Sequence, residues 1–123
     1  MLGDANTLVA ALVSDREEQH QSAVEMARIH GRLEIGEAVL GESCWVLERK
    51  YGVPRRAVAM IVRDMLNSRD FVAWNPELAD RALARMHSSP RCAFVDCLLL
   101  ERAVSGESVL TFDRDLARAI ERS

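Results

Sequence analysis

The sequence has little lysine and no excess of positive charge. Lys50 is the only lysine, the other fifteen basic residues are arginines, and the formal net charge is −3. This balance argues against a protein that coats nucleic acid by charge alone, although it is compatible with a small basic rim. Any chemistry that requires a particular lysine has Lys50 as its one candidate.

The sequence also lacks long apolar runs and cysteine pairs. No apolar run approaches the ~20 residues that a membrane helix needs, and Met1-Leu2-Gly3-Asp4 does not resemble a signal peptide. We therefore expect a cytoplasmic protein that does not enter a membrane. The three cysteines, Cys44, Cys92 and Cys97, are odd in number and lack zinc-ligand spacing, which favours reduced thiols in the core.

What is present is an alternation of strand and helix patterns. The length of 123 residues predicts a single domain over 1–123. A short apolar run ends at Asp4, and further strand candidates lie at 33–35, 70–74 and 108–111. Helical patterns separate them, among them 16–30, 37–51 and 93–104. The pattern predicts an α/β fold, a three-layer α/β/α sandwich with a short, mainly parallel central sheet.

Four acidic residues stand where solvated acids are not expected. Asp4 and Asp113 follow strand candidates, while a spacing of about 100° per residue places Glu42 and Asp96 on the apolar faces of their helices. Structural roles are available for all four, as helix N-caps for Asp4 and Asp113 and as buried ion pairs with arginine for Glu42 and Asp96. Because ligands of parallel sheets gather at the carboxyl ends of the strands, we expect Asp4, Asp96 and Asp113 to face one edge.

Acids that converge at one edge must be neutralised. Two like charges ~4 Å apart cost about 4 kcal/mol at an effective dielectric of 20. Protons or arginines can offset this repulsion, but a nest of carboxylate oxygens most simply predicts a site for Mg²⁺ or Mn²⁺. Such a metal commonly binds phosphates and activates water, which indicates hydrolysis of a phosphodiester or a phosphomonoester.

The acidic residues also lie in recognisable motifs. Asp4 precedes Asn6 by two positions, Glu42 lies within Ala-Val-Leu-Gly-Glu-Ser-Cys-Trp-Val-Leu, Asp96 within Phe-Val-Asp-Cys-Leu-Leu, and Asp113 within Leu-Thr-Phe-Asp-Arg-Asp. In this order and spacing the motifs resemble those of PIN-domain ribonucleases, most closely the VapC-type toxins of toxin–antitoxin pairs. The resemblance covers nearly the whole chain.

The resemblance implies a Mg²⁺- or Mn²⁺-dependent endoribonuclease that cuts RNA, often as a homodimer, and that a cognate antitoxin protein commonly inhibits. It also implies a set of site residues. The metal ligands and catalytic residues would be Asp4, Glu42, Asp96 and Asp113, with Asn6, Thr111 and Asp115 as supporting groups. Asp113 and Asp115 could exchange roles. The family's first strand is usually longer, so either the strand before Asp4 is short or the start lies upstream.

A basic cluster surrounds the turn at Gly52 and consists of Arg49, Lys50, Arg55 and Arg56. It is either a solvated helix junction or a rim that holds RNA phosphates at the mouth of the acidic site.

Two other functions remain open. A haloacid-dehalogenase-like phosphomonoesterase would also place an aspartate after its first strand, but it would normally have a second aspartate where Asn6 stands. The other alternative is a non-catalytic PIN-like binding module.

Overall fold

A computed structural model describes residues 1–13 and 17–122. Within these residues the elements, in chain order, are α1 (Ala5–Leu12), α2 (Glu17–Ile29), β1 (Leu33–Ile35), α3 (Glu37–Arg49), α4 (Arg55–Leu66), β2 (Phe71–Ala73), α5 (Pro76–Ser88), α6 (Phe94–Val104) and α7 (Arg114–Glu121). The helix predicted over 16–30 is therefore confirmed from Glu17 onward, and its predicted first residue, Arg16, lies outside the described residues. None of the helices in the described part has the length and apolar character that a membrane span requires.

The sheet is short and parallel. β1 and β2 pair in parallel, with Leu33 opposite Phe71 and Ile35 opposite Ala73. Leu2 adds a single parallel bridge to Glu34, held by hydrogen bonds from the Gly3 N–H to the Glu34 carbonyl (3.0 Å) and from the Glu34 N–H to the Met1 carbonyl (2.7 Å). Helices connect the strands, as parallel pairing requires. The predicted α/β fold class is confirmed.

The core lies where the helices meet this sheet. Leu33 and Ile35 are buried while Glu34 between them is exposed, as the period of two in a strand dictates. Leu40, Cys44 and Leu47 present the inner stripe of α3, at the spacing of one helical face. The strands and helices therefore share one continuous cluster of apolar side chains.

The strand predicted over 108–111 is wrong. The residues between α6 and α7 form no strand in the described structure, and Leu110 and Phe112 are 89% and 96% exposed. The physical reason is the length of the available edge. Since the N-terminal segment contributes one bridged residue, Leu2, it does not provide a ladder along which another strand could pair.

The predicted orientation of α3 is also corrected. Glu42 does not face apolar surroundings but is exposed, together with Trp45, which is 60% exposed. The buried stripe of α3 runs through Leu40, Ser43, Cys44 and Leu47, so positions 42 and 45 lie outside it. A pattern that counts the exposed Trp45 as part of the apolar face rotates the predicted face of α3 towards Glu42.

The cysteines are free thiols, as predicted. Cys44 and Cys97 are buried, and burial raises the pKa of both thiols to about 12. They are therefore protonated at neutral pH and act as small apolar side chains. Cys92 is only half-buried.

Candidate functional site

Asp4 follows the bridged residue Leu2 and begins α1. Its Oδ1 accepts hydrogen bonds from the Thr7 backbone N–H (2.8 Å) and from the Thr7 hydroxyl (2.7 Å). These two bonds hold the pKa of Asp4 below its usual value. The structure therefore makes Asp4 an ionised helix N-cap. Asp4 and Asn6 line an open groove of about 780 Å³ between α1 and α2.

Asp113 has the same role at the start of α7. Its Oδ1 accepts hydrogen bonds from the backbone N–H groups of Asp115 (2.9 Å) and Leu116 (3.0 Å). The Asp113 N–H in turn donates to the Thr111 hydroxyl (3.0 Å). Thr111, which the resemblance marks as a supporting group, thus holds the turn that presents Asp113.

Asp96 lies in the first turn of α6 and is half-buried. Its pKa is raised above the usual value, chiefly because burial disfavours the charged form and then because of the negative charge of Asp113. The Arg55 guanidinium opposes both effects. Asp96 and Asp113 are therefore electrostatic neighbours.

Asp96, Asp113 and Asp115 line one cavity of about 450 Å³ beside α7. Three arginines, Arg91, Arg118 and Arg122, line it as well. Sequence reasoning missed these arginines, although one signal was present. Arg118 and Arg122 are four residues apart and follow Asp113 on the same helix, a spacing that places them on one face.

The structure does not bring all predicted ligands together. Asp4 lines the groove beside α1, whereas Asp96 and Asp113 line the cavity beside α7. Glu42 is exposed on α3 and lines neither of them. Among the residues that the structure describes, no group of three or more Asp, Glu, His or Cys side chains is arranged to hold a metal ion.

The donor set nevertheless suits a hard divalent cation. Asp96 and Asp113 offer carboxylate oxygens, the ligand type that Mg²⁺ and Mn²⁺ prefer. Burial is the main cause of the raised pKa of Asp96, and the negative charge of Asp113 is the second; a bound cation would relieve that second effect. The cavity therefore fits the chemistry of such an ion with two of the four predicted ligands.

The basic cluster at the α3–α4 junction is partly engaged in structural contacts. The Arg55 Nε donates to Glu48 (2.6 Å) and its Nη1 to the Pro90 carbonyl (3.1 Å). The Arg56 Nε donates to the His87 carbonyl (3.0 Å). The Lys50 ammonium lies 5.8 Å from the centre of the Tyr51 ring, and Arg49 is exposed. Arg55 and Arg56 thus tie α4 to the end of α5 and the loop that follows.

The fold and the side chains together define an α/β domain in which aspartate carboxylates cap the N-termini of two helices, α1 and α7. A family model described as PIN domain matches residues 1–121. The chain therefore belongs to the PIN domain family. PIN domains are generally metal-dependent nucleases, and PIN nucleases act on RNA. No curated protein and no solved structure matches the chain.

Proposed function

We propose that this protein is a Mg²⁺- or Mn²⁺-dependent endoribonuclease whose metal site is centred on Asp96 and Asp113. The observation that carries the proposal is the cavity beside α7. It is lined by Asp96, which is half-buried and has a raised pKa, and by Asp113, the N-cap residue of α7. Membership of the PIN family supports the reaction class.

The side chains of the chain have distinct parts in this mechanism. Asp113 caps α7 through Oδ1, and its other oxygen, Oδ2, is the proposed metal ligand. Thr111 fixes the backbone of the same turn. Asp115, which lines the same cavity, is the alternative ligand from this motif. A bound Mg²⁺ or Mn²⁺ would activate water and stabilise negative charge on the phosphate oxygens.

Asp4 and Glu42 remain predicted ligands. They lie outside the cavity that Asp96 and Asp113 share, so their contribution needs tests separate from those of Asp96. Asn6 stays the proposed supporting residue because it follows Asp4 by two positions in the motif, and both residues line the groove beside α1.

Within the PIN family we propose a VapC-type toxin, formed by one PIN domain over 1–123, active in the cytoplasm and inhibited by a cognate antitoxin. The motifs around Glu42 and Asp96 and the sequence Leu-Thr-Phe-Asp-Arg-Asp support this narrower assignment. We propose a homodimer on the same resemblance.

A non-catalytic PIN-like binding module is the second candidate. The specific observation in its favour is that no metal-binding group of three or more ligands is preformed in the described residues. Such a module would bind RNA and leave it intact. The phosphomonoesterase alternative has no such support. It would normally need a conveniently placed lysine, and Lys50, the only lysine in the sequence, lies over the Tyr51 ring and lines neither the groove beside α1 nor the cavity beside α7.

One assay separates the two candidates. The purified protein is incubated with RNA and Mn²⁺ or Mg²⁺, and cleavage is followed on a denaturing gel. We expect internal cleavage that EDTA abolishes and that Asp96→Asn and Asp113→Asn abolish as well, while circular dichroism shows both variants folded. Asp64→Asn is the matched control, because Asp64 is exposed on α4 outside both cavities.

Cleavage that survives EDTA and Asp96→Asn would overturn the metal mechanism. RNA binding without cleavage in either metal would favour the non-catalytic module.

A further inference from the structure

Three exposed arginines around the acidic cavity have no ionic partner among the residues that the structure describes. Arg91 lies in the loop between α5 and α6, Arg118 lies on α7, and Arg122 is the residue that caps its C-terminus. In the described part of the chain, none of the three forms an ion pair or donates a side-chain hydrogen bond. Their charges are therefore available to a ligand.

Most other arginines near the core are engaged. Arg63 makes a bidentate contact with Asp80, and Arg85 and Arg102 bind glutamates at 2.8 Å and 2.7 Å. Arg55 is held by Glu48. These pairs explain why the arginines are present without reference to a ligand. The three cavity arginines form no such pair with the described residues.

The arrangement of the three suits one anion. Arg118 and Arg122 are separated by about one helical turn and project from the same side of α7. Arg91 approaches the same cavity from a different element. Guanidinium groups bind phosphate oxygens through two parallel hydrogen bonds, and groups from two elements can hold one phosphate from two sides.

The acids in the same cavity make such a cradle necessary for the proposed reaction. Asp96, Asp113 and Asp115 would repel an RNA backbone as it approaches. Unpaired arginines beside them offset that repulsion and leave the carboxylates free for a metal. The three cavity arginines differ in this respect from the basic cluster at the α3–α4 junction, where Arg55 and Arg56 already have protein partners.

We propose that Arg91, Arg118 and Arg122 form a phosphate cradle that binds a backbone phosphate of single-stranded RNA next to the phosphodiester that is cut. The identity of the ligand rests on the proposed function. The cradle positions the substrate and takes no part in the bond-breaking step. A purely structural role is available for Arg118, since a cation in the last turn of a helix stabilises the helix dipole.

The test measures binding and cleavage separately. A short fluorescein-labelled single-stranded RNA is titrated with protein in EDTA, and fluorescence anisotropy gives Kd at several salt concentrations. We expect Arg118→Gln/Arg122→Gln to raise Kd by at least about tenfold, the loss that charged hydrogen bonds produce. The slope of log K against log salt should become shallower by about 0.7, the value for one phosphate contact on a single strand.

Two further variants separate the cradle from a structural effect. Arg118→Lys/Arg122→Lys keeps the helix-dipole interaction and the charge, so it should restore most of the salt slope but only part of the affinity. Arg91→Gln changes a loop residue outside α7 and should weaken RNA binding. This variant keeps the test decisive if circular dichroism shows that Arg118→Gln/Arg122→Gln is unfolded. The matched control is Arg28→Gln/Arg69→Gln, two exposed arginines that line another cavity, near the amino ends of β1 and β2.

The outcomes decide between the two proposals. If the Gln variants bind RNA as tightly as the wild type, or if the Arg28/Arg69 control loses as much affinity, the cradle is wrong even when cleavage is observed. If the Gln variants of the cavity arginines lose affinity, the control does not, and the wild type does not cut RNA in Mn²⁺, the RNA-binding role of the cradle stands and the nuclease proposal falls. If both stand, cleavage kinetics should show a raised KM with kcat close to that of the wild type.

Discussion

Asp4 and Asp113 each carry two roles at the scale of the single residue. Each accepts hydrogen bonds from the first turn of a helix through Oδ1, and each is a predicted metal ligand. The two roles are compatible because a carboxylate has two oxygens and about four acceptor positions. A cap also restricts the side-chain rotamer, which prepares the second oxygen for a ligand.

The first prediction separates these roles at Asp4. Asp4→Ala removes the cap and should lower the free energy of unfolding by about 1 kcal/mol, whereas Asp4→Asn keeps a good cap and should have nearly wild-type stability. If Asp4 is also a metal ligand, Asp4→Asn should lose RNA cleavage despite its stability. Urea denaturation and the cleavage assay measure the two effects. Wild-type cleavage by Asp4→Asn would restrict Asp4 to the cap.

The pKa of Asp4 gives this prediction a pH dependence. Because the folded-state pKa is lowered below 3.8, the contribution of Asp4 to stability is present above that pH and is lost as pH falls through the folded value. Asp4→Asn should therefore lose less stability than the wild type when the pH is lowered below ~4.

At the scale of secondary-structure elements, Glu101 fastens α6 to α5. Its side chain is almost fully buried, with one oxygen 2.8 Å from Arg85 and the other 3.4 Å from Arg81. In the helical pattern 93–104, Glu101 falls with Arg102 and Ser105 on the side that the sequence predicts to face solvent, and the buried position of Glu101 shows this prediction to be wrong. Helical wheels do not include neighbouring helices, and two arginines of α5 supply the charge that allows a carboxylate to be buried here.

The second prediction concerns this contact. Glu101→Gln should lower the free energy of unfolding by about 2 kcal/mol, because it removes a charged partner from a mostly buried hydrogen bond. Glu107→Gln is the matched control. Glu107 also binds an arginine, Arg102, but in an exposed pair, so its change should stay below about 0.5 kcal/mol. Equal losses in urea denaturation would contradict the role of burial.

Element boundaries were largely predictable from the sequence. An Asn followed by Pro is typical of a helix start, and Asn75 does cap α5, its side chain accepting a hydrogen bond from the Leu78 N–H (3.3 Å). A glycine is typical of the turn that closes a helix, and Gly52, after α3, has a φ of +65°, in the left-handed region that glycine adopts without strain. Caps and turns depend on residues close in the chain, so local chemistry was sufficient.

At the scale of the whole molecule, the acidic cavity makes stability depend on pH. The folded-state pKa of Asp96 is raised, so the folded protein binds this proton more tightly than the unfolded chain. Asp96 therefore costs stability once pH rises from 3.8 through the folded value, and the cost persists at neutral pH.

The third prediction follows from this sign. In EDTA at neutral pH, Asp96→Asn should have a higher Tm than the wild type, because the neutral amide avoids the burial cost and the repulsion from Asp113. The difference should disappear below pH ~4, where the carboxyl is protonated in both states. Differential scanning fluorimetry across this pH range measures both effects. A lower Tm for Asp96→Asn at neutral pH would show that Asp96 has a stabilising partner instead.

The sequence by itself determined the α/β fold class, most helix and strand boundaries, and the family resemblance. It also identified the acids that begin α1 and α7. Each of these follows from periodicity, caps and motifs, which are properties of neighbouring residues.

Only the tertiary structure decided which charges are buried and which lie together. Glu42 points outward, Glu101 points inward, and the segment 108–111 remains outside the sheet. It also decided that Asp96 and Asp113 share a cavity with Arg91, Arg118 and Arg122, while Asp4 lines a groove beside α1. The physical reason is that burial and electrostatic proximity depend on which elements pack against each other, and residues far apart in the chain set these contacts.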